Sequence, residues 1–215
     1  ETKGLPKKPL YTPEKLSRKA DISEFRDSII SISTIIFSSS CQYTTMDLFV
    51  YLWPFFFPVL GACIALGHMR WRRAHGVQAL EIFLMWQLAI GLGAGLVYGG
   101  LGHLIFPDQV AESIGWPTGS PFQREVGMWD LALGIVGLLC LKFRNIGFWT
   151  ATVIGTGIFY IGAGLGHVYE MVAFGNYSPN NAGPVMYMDL IYPLFLAGLL
   201  ILYYTRKERR LTRHE

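Results

Sequence analysis

Apolar residues in this chain come in long runs separated by short polar stretches. Five runs approach or exceed the roughly 18 residues that cross a bilayer as a helix. They cover about Asp47–His68, Val77–Phe106, Pro121–Phe143, Ile146–Phe174 and Pro184–Tyr204. The breaks between them carry end signals. Ser120-Pro121-Phe122-Gln123 offers a cap residue, a proline at the first helical position and a glutamine placed to close a capping box. Pro107 stops the second helix because a proline cannot continue the hydrogen-bond ladder. Gly175-Asn176 ends the fourth and Gly183-Pro184 opens the fifth.

Composition agrees with the pattern. The chain is 52% apolar and only 15% charged, where a soluble domain carries about 25% charged residues. The expected fold is all-α: a polytopic membrane protein of five transmembrane helices. Cys41, Cys63 and Cys140 are scattered and lack CxxC spacing, so neither a disulfide framework nor a zinc knuckle is indicated.

The formal charge of +3 matters less than its placement. From Met46 onward there are eleven Lys and Arg residues, and ten sit in three places: Arg70, Arg72 and Arg73; Lys142 and Arg144; Arg206, Lys207, Arg209, Arg210 and Arg213. With five spans these three places share one side, and only Arg124 lies opposite. Excess Lys and Arg marks the cytoplasmic side. The 107–120 and 175–183 loops are then external and the C-terminus is cytoplasmic. Trp71, Trp116, Trp149, Tyr177, Tyr203 and Tyr204 fall near span ends, where interfacial aromatics belong.

The chain divides accordingly. Residues 1–45 read as a polar N-terminal tail, disordered or not part of the native mature sequence. Its Ser-rich run ends at Ser38-Ser39-Ser40-Cys41, faintly like a lipoprotein cleavage site. Residues 46–76 hold the first transmembrane helix and a basic inner loop. Residues 77–205 form the membrane bundle, and 206–215 a basic cytoplasmic tail.

An internal repeat organises the bundle. Gly-Leu-Gly-His occurs at Gly100–His103 and again at Gly164–His167. After each copy come a loop, Asp-Leu (Asp130-Leu131, Asp189-Leu190), Gly-Leu-Leu and basic residues. Residues 77–145 and 146–207 thus read as two parallel helix–loop–helix repeats forming a four-helix bundle, with the first helix peripheral. Parallel repeats of this kind are known in transporters. Gly91, Gly95, Gly99 and His103 recur at every fourth residue, as do Gly155, Phe159, Ala163 and His167. Small residues at that spacing let helices pack closely in lipid, or leave room for a flat cofactor.

Ionisable groups inside spans normally face the bundle interior and pair with one another. His103, His167, Glu170, Asp130, Asp189 and Glu125 all fall in the outer half of the bundle by helical rise. Glu170 shares a face with His167 at i+3, and Tyr160 and Ala163 extend that face inward. Gln87 is the main polar residue nearer the middle. These six groups form either a structural network or a site. In the structural reading a His bonds Asp130, and Arg124 satisfies Glu125 or Glu170. As a site they suit a divalent metal on His103, His167 and Glu170, or haem on His103 and His167. A quinone exchanging protons with His and Asp, or a proton relay or transported ion, also fits. His68 and His75 read as solvated, flanking the basic inner loop. There is no Walker loop, HExxH or strand-borne glycine fingerprint. Lipid is the expected partner, with a membrane protein or a second copy as candidates. Nucleic acid is not expected, since the basic tail reads as a lipid-facing anchor.

Two resemblances follow from motifs between Val77 and Leu202. Gly102-His103, Phe106-Pro107-Asp108, Ile114-Gly115-Trp116-Pro117, Gly127 and Gly134 resemble the DoxX-like group of small bacterial membrane proteins. Ser120–Gly127, Gly166-His167 and Asn181-Ala182-Gly183-Pro184 are similar to an uncharacterised family of conserved bacterial membrane proteins. The resemblance implies a four-helix core in a bacterial inner membrane. Some DoxX-like proteins are associated with quinone-linked sulfur oxidation, so it also favours a quinone. It assigns no catalytic residue. The first helix and the long lead depart from the DoxX pattern.

Overall fold

The computed structural model describes residues 45–212. The tail expected over 1–45, with its lipoprotein-like Ser38–Cys41, falls outside the described residues except for Thr45. Among the described residues the fold is all helical. Helix α1 is Thr45–Arg72 and α2 is Val77–Ile105. The short α3, Pro107–Ile114, precedes α4, Phe122–Leu139. Helix α5 is Ile146–Phe174, α6 is the single turn Pro179–Ala182, and α7 is Pro184–Leu211.

Four helical stretches are long and apolar enough to cross a membrane: Tyr51–Arg72, Val77–Ile105, Ile146–Phe174 and Pro179–Arg210. Helix α4, expected to run Pro121–Phe143, is shorter at 18 residues and carries Arg124, Glu125 and Asp130. Large apolar side chains such as Ile158, 73% exposed, and Trp71, 81% exposed, stud the outside of the bundle. In water such a surface would aggregate, and lipid solvates it. The capping box does not form: Phe122 N–H donates to Ser120 Oγ, while the Gln123 side chain turns to His103. Asn145 caps α5 instead, its Oδ1 accepting from Phe148 N–H at 2.8 Å. A side-chain acceptor here satisfies one of the free donors at the helix start.

The closest helix contact is antiparallel, between α2 and α4, and glycine makes it. A Cβ on Gly93 would lie 2.6 Å from Leu138 N, and one on Gly100 would lie 2.8 Å from Gly127 O. A Cβ on Gly134 would meet Val97 N at 2.8 Å and Gly93 O at 2.9 Å. Backbone thus touches backbone, which only glycine permits at this separation. The small residues expected to pack, Gly91, Gly95 and Gly99, lie on the neighbouring face. Helix α5 packs along α7 in the same hairpin fashion.

Leu84, Met85, Leu88, Trp149, Leu196 and Tyr203 fill the end of the bundle nearer the basic loops. Trp149 donates its indole N–H to Cys140 O at 3.2 Å, so the buried ring leaves no polar atom unpaired. Midway along α2, residues Gln87–Ala94 open into a π-helical stretch. The Tyr192 O–H donates to Gln87 O at 3.2 Å and to Gln87 Oε1 at 2.8 Å. A hydroxyl on that carbonyl competes with the intrahelical N–H, and the glycines that follow adapt to the wider turn. The Gln87 amide also donates to Pro58 O at 3.0 Å, tying α1 to α2.

Candidate functional site

Beyond this packed end the helices part around a cavity of about 670 Å³. Helices α1, α2, α4, α5 and α7 all contribute walls. Helix α1, expected at the periphery, supplies Trp53, Pro54, Phe57 and Pro58. The volume falls in the range of cavities that hold small organic molecules. Most of the wall is apolar, with polar groups gathered in one region.

Of the six residues singled out from sequence, His103, His167, Asp130, Glu170 and Asp189 line this one cavity. Glu125 does not; it is exposed at the start of α4. The glycine stripe finds its place here as well. Gly91, Gly95 and Gly99 line the cavity together with His103, so small residues clear space on this face of α2.

The hydrogen bonds differ from the expected network. Asp130 bonds Tyr160, not a histidine: the phenol O–H donates to Oδ1 at 2.5 Å. Each histidine bonds an amide instead. His103 Nδ1 lies 2.6 Å from Gln123 Oε1, and His167 Nδ1 lies 2.8 Å from Asn181 Oδ1. The reason is reach: Gln123 stands at the start of α4 and Asn181 in the turn α6, level with the histidines. Asp130 lies about two turns further along α4 than Gln123, beside the phenol. Asn181 is fully buried. Its Nδ2 donates to His167 O at 3.3 Å and Asn176 O at 2.7 Å, which fixes the amide's orientation. Arg124 pairs with neither Glu125 nor Glu170; among the described residues the one ion-pair contact is His167 Nε2 to Asp189 Oδ2, at 3.7 Å. Tyr160 lies within electrostatic reach of both aspartates, and His167 within reach of Glu170. Among the described residues no three His, Cys, Asp or Glu side chains gather in a metal-holding group. His68, expected to be solvated, accepts from the Trp86 indole N–H at 2.9 Å.

The two hairpins place their repeated residues alike. The Cβ position of Gly100 faces Asp130 Cβ at 3.0 Å, and that of Gly164 faces Asp189 Cβ at 3.2 Å. In each unit an amide follows the histidine and precedes the aspartate, by seven residues for Gln123 and eight for Asn181. That shared spacing is the signal that points to Gln123 and Asn181. Tyr160 was visible only as part of a face.

A roof covers the end of the bundle away from the basic loops. Helix α3 ends in a Schellman turn, Gly115 N–H to Glu112 O and Trp116 N–H to Ala111 O, with Gly115 at φ 80°. The turn brings Trp116 over His167, with the rings stacked 6.1 Å apart and tilted by 17°. The second loop is fastened to it: Asn176 Nδ2 donates to Ile114 O and Asn180 Nδ2 to Ser113 Oγ, both at 2.9 Å.

Residues 50–209 match DUF6790, described only as a family of unknown function. The chain belongs to DUF6790. No curated protein and no solved structure matches it. The cavity of this DUF6790 member lies wholly within the matched region, from Trp53 to Pro193.

Proposed function

We propose that this DUF6790 protein is a multi-pass membrane protein that binds a small lipophilic molecule inside its helix bundle. The observation that carries the reading is the cavity of about 670 Å³, apolar along most of its wall and tipped with Tyr160–Asp130 and His167–Asp189. A purely structural network would hold its polar groups against one another in a closed core. Here they line open space. His103, His167, Asp130, Glu170 and Asp189 are the ligand-facing residues in this reading, and Glu125 has no part in it.

The membrane arrangement is part of the proposal. Helix α4 is the fifth span, since its glycines follow α2 antiparallel from Gly100 down to Gly93. About 27 Å of helix, at 18 residues, reaches most of the way across a hydrocarbon core. Residues 77–145 and 146–207 then act as parallel repeats, and the matched Gly100–Asp130 and Gly164–Asp189 contacts support this. Five spans with the basic loops inside put the cavity in the outer half and the C-terminus in the cytoplasm of a bacterial cell.

A cavity-filling substitution tests the reading. Gly166 lines the cavity, and a Cβ there meets nothing within 4 Å. In Gly166→Leu the fold should persist while the cavity loses volume. Native mass spectrometry of protein extracted from its own membrane should show a bound small molecule on the wild type and little on the variant. Equal occupancy in both, or none in the wild type, contradicts the proposal.

A further inference from the structure

The unpartnered polar atoms of His167, Asp189 and Asn180 are acceptors. Asn181 spends both N–H groups on backbone carbonyls, so its Oδ1 faces His167 Nδ1, and that nitrogen carries the hydrogen. In the neutral ring Nε2 then presents a lone pair. It lies 3.7 Å from Asp189 Oδ2, beyond hydrogen-bond length, with an acceptor on each side of the gap. Asp189 is only 8% exposed and makes no hydrogen bond among the described residues. Pro193 lacks the N–H that the Asp189 carbonyl would otherwise receive, and Pro58 does the same to Pro54. Asn180 Oδ1 is buried without a partner. Pro54, Pro58, His167, Asn180, Asp189 and Pro193 line the cavity, and neither a lysine nor an arginine does.

Asp130 has the Tyr160 phenol as donor, but Asp189 has none, and an unpaired buried carboxylate must either hold a proton or meet a countercharge, because an unpaired buried charge is expensive. Trp53, Phe57, Trp116, Phe159 and Tyr169 present rings in the same wall, and ring faces attract a cation. A neutral quinone would bring acceptor oxygens to acceptors. Building on the reading of the cavity as a ligand site, we infer that its occupant is a lipophilic ammonium: a protonated amine on an apolar or aromatic body. One N–H bridges His167 Nε2 and Asp189 Oδ2, and the charge faces Asp130 and Asp189.

Calorimetric titration of the purified full chain in mild detergent tests this with four probes: naphthyl-ethylamine, naphthyl-ethanol, naphthyl-acetate and menadione. The first three share a body and differ in charge. The amine should bind at least about tenfold tighter than the alcohol, and the acetate not detectably. Asp189→Asn should abolish that preference while leaving alcohol binding unchanged. The wild-type ranking needs no variant, so a misfolded mutant does not decide the matter. Equal binding of amine and alcohol, or a preference for menadione or acetate, would overturn the ammonium assignment and leave the cavity as a ligand site. Failure of all four probes to bind would overturn both readings.

Discussion

Gly134 tests the reading that glycine backbone contacts hold α2 against α4. In Gly134→Ala the new methyl would lie 2.8 Å from Val97 N, 2.9 Å from Gly93 O and 2.9 Å from Val97 Cγ2. Two of these atoms are backbone and cannot swing away. Ordinary van der Waals contact needs about another 0.6 Å or more, so the helices must separate. Overpacking of this kind costs about 1–3 kcal/mol. Separation would also loosen the contact one stretch away, where a Cβ on Gly100 lies 2.8 Å from Gly127 O. Gly162→Ala is the control, because a Cβ at Gly162 meets nothing within 4 Å. Both variants gain about 0.5–1 kcal/mol from helix propensity. The propensity gain is common to both variants, so they should differ by the overpacking cost, about 1–3 kcal/mol in stability. Thermal unfolding in mild detergent, followed by tryptophan fluorescence, should place Gly134→Ala below the wild type and Gly162→Ala at or above it. If Gly134→Ala unfolds at or above Gly162→Ala, the glycines do not set the helix separation.

Two further outcomes are expected. Asn181→Ala leaves His167 Nδ1, the His167 carbonyl and the Asn176 carbonyl without the amide that serves them. Buried groups left unpaired cost about 1–3 kcal/mol each at most, so unfolding in detergent should come well below the wild type; an unchanged midpoint would show that water replaces the amide. Gly115→Ala should release the roof, because Gly115 sits at φ 80° with Ser178 Oγ and Asn176 Oδ1 against its Cβ position. Hydrogen exchange at 107–120 and 175–183 should rise together while the helices stay protected, and unchanged exchange in the second loop would mean that the two loops are not coupled.

The sequence alone determined the helical, membrane-like character and nearly all element positions. Helix α5 runs Ile146–Phe174 as expected, because lipid forces the backbone to satisfy itself and the surface to be apolar, and both demands are written in composition. It also grouped His103, His167, Asp130, Glu170 and Asp189, since ionisable groups in spans face inward, and all five line one cavity. Glu125 broke that inference because it stands at a helix start, where water is near.

Tertiary structure decided the rest. Two glycine stripes on α2 have the same composition, yet Gly93 and Gly100 pack against α4 while Gly91, Gly95 and Gly99 line a cavity, Gly91 making room for the Tyr192 hydroxyl. The difference is rotation of the helix about its axis, which depends on its partners. The histidines took amides and Asp130 took a phenol because depth, not charge, governs which groups meet. Spacing along one helix states a face and a level. Which side chain of another helix stands opposite is fixed only when the helices pack.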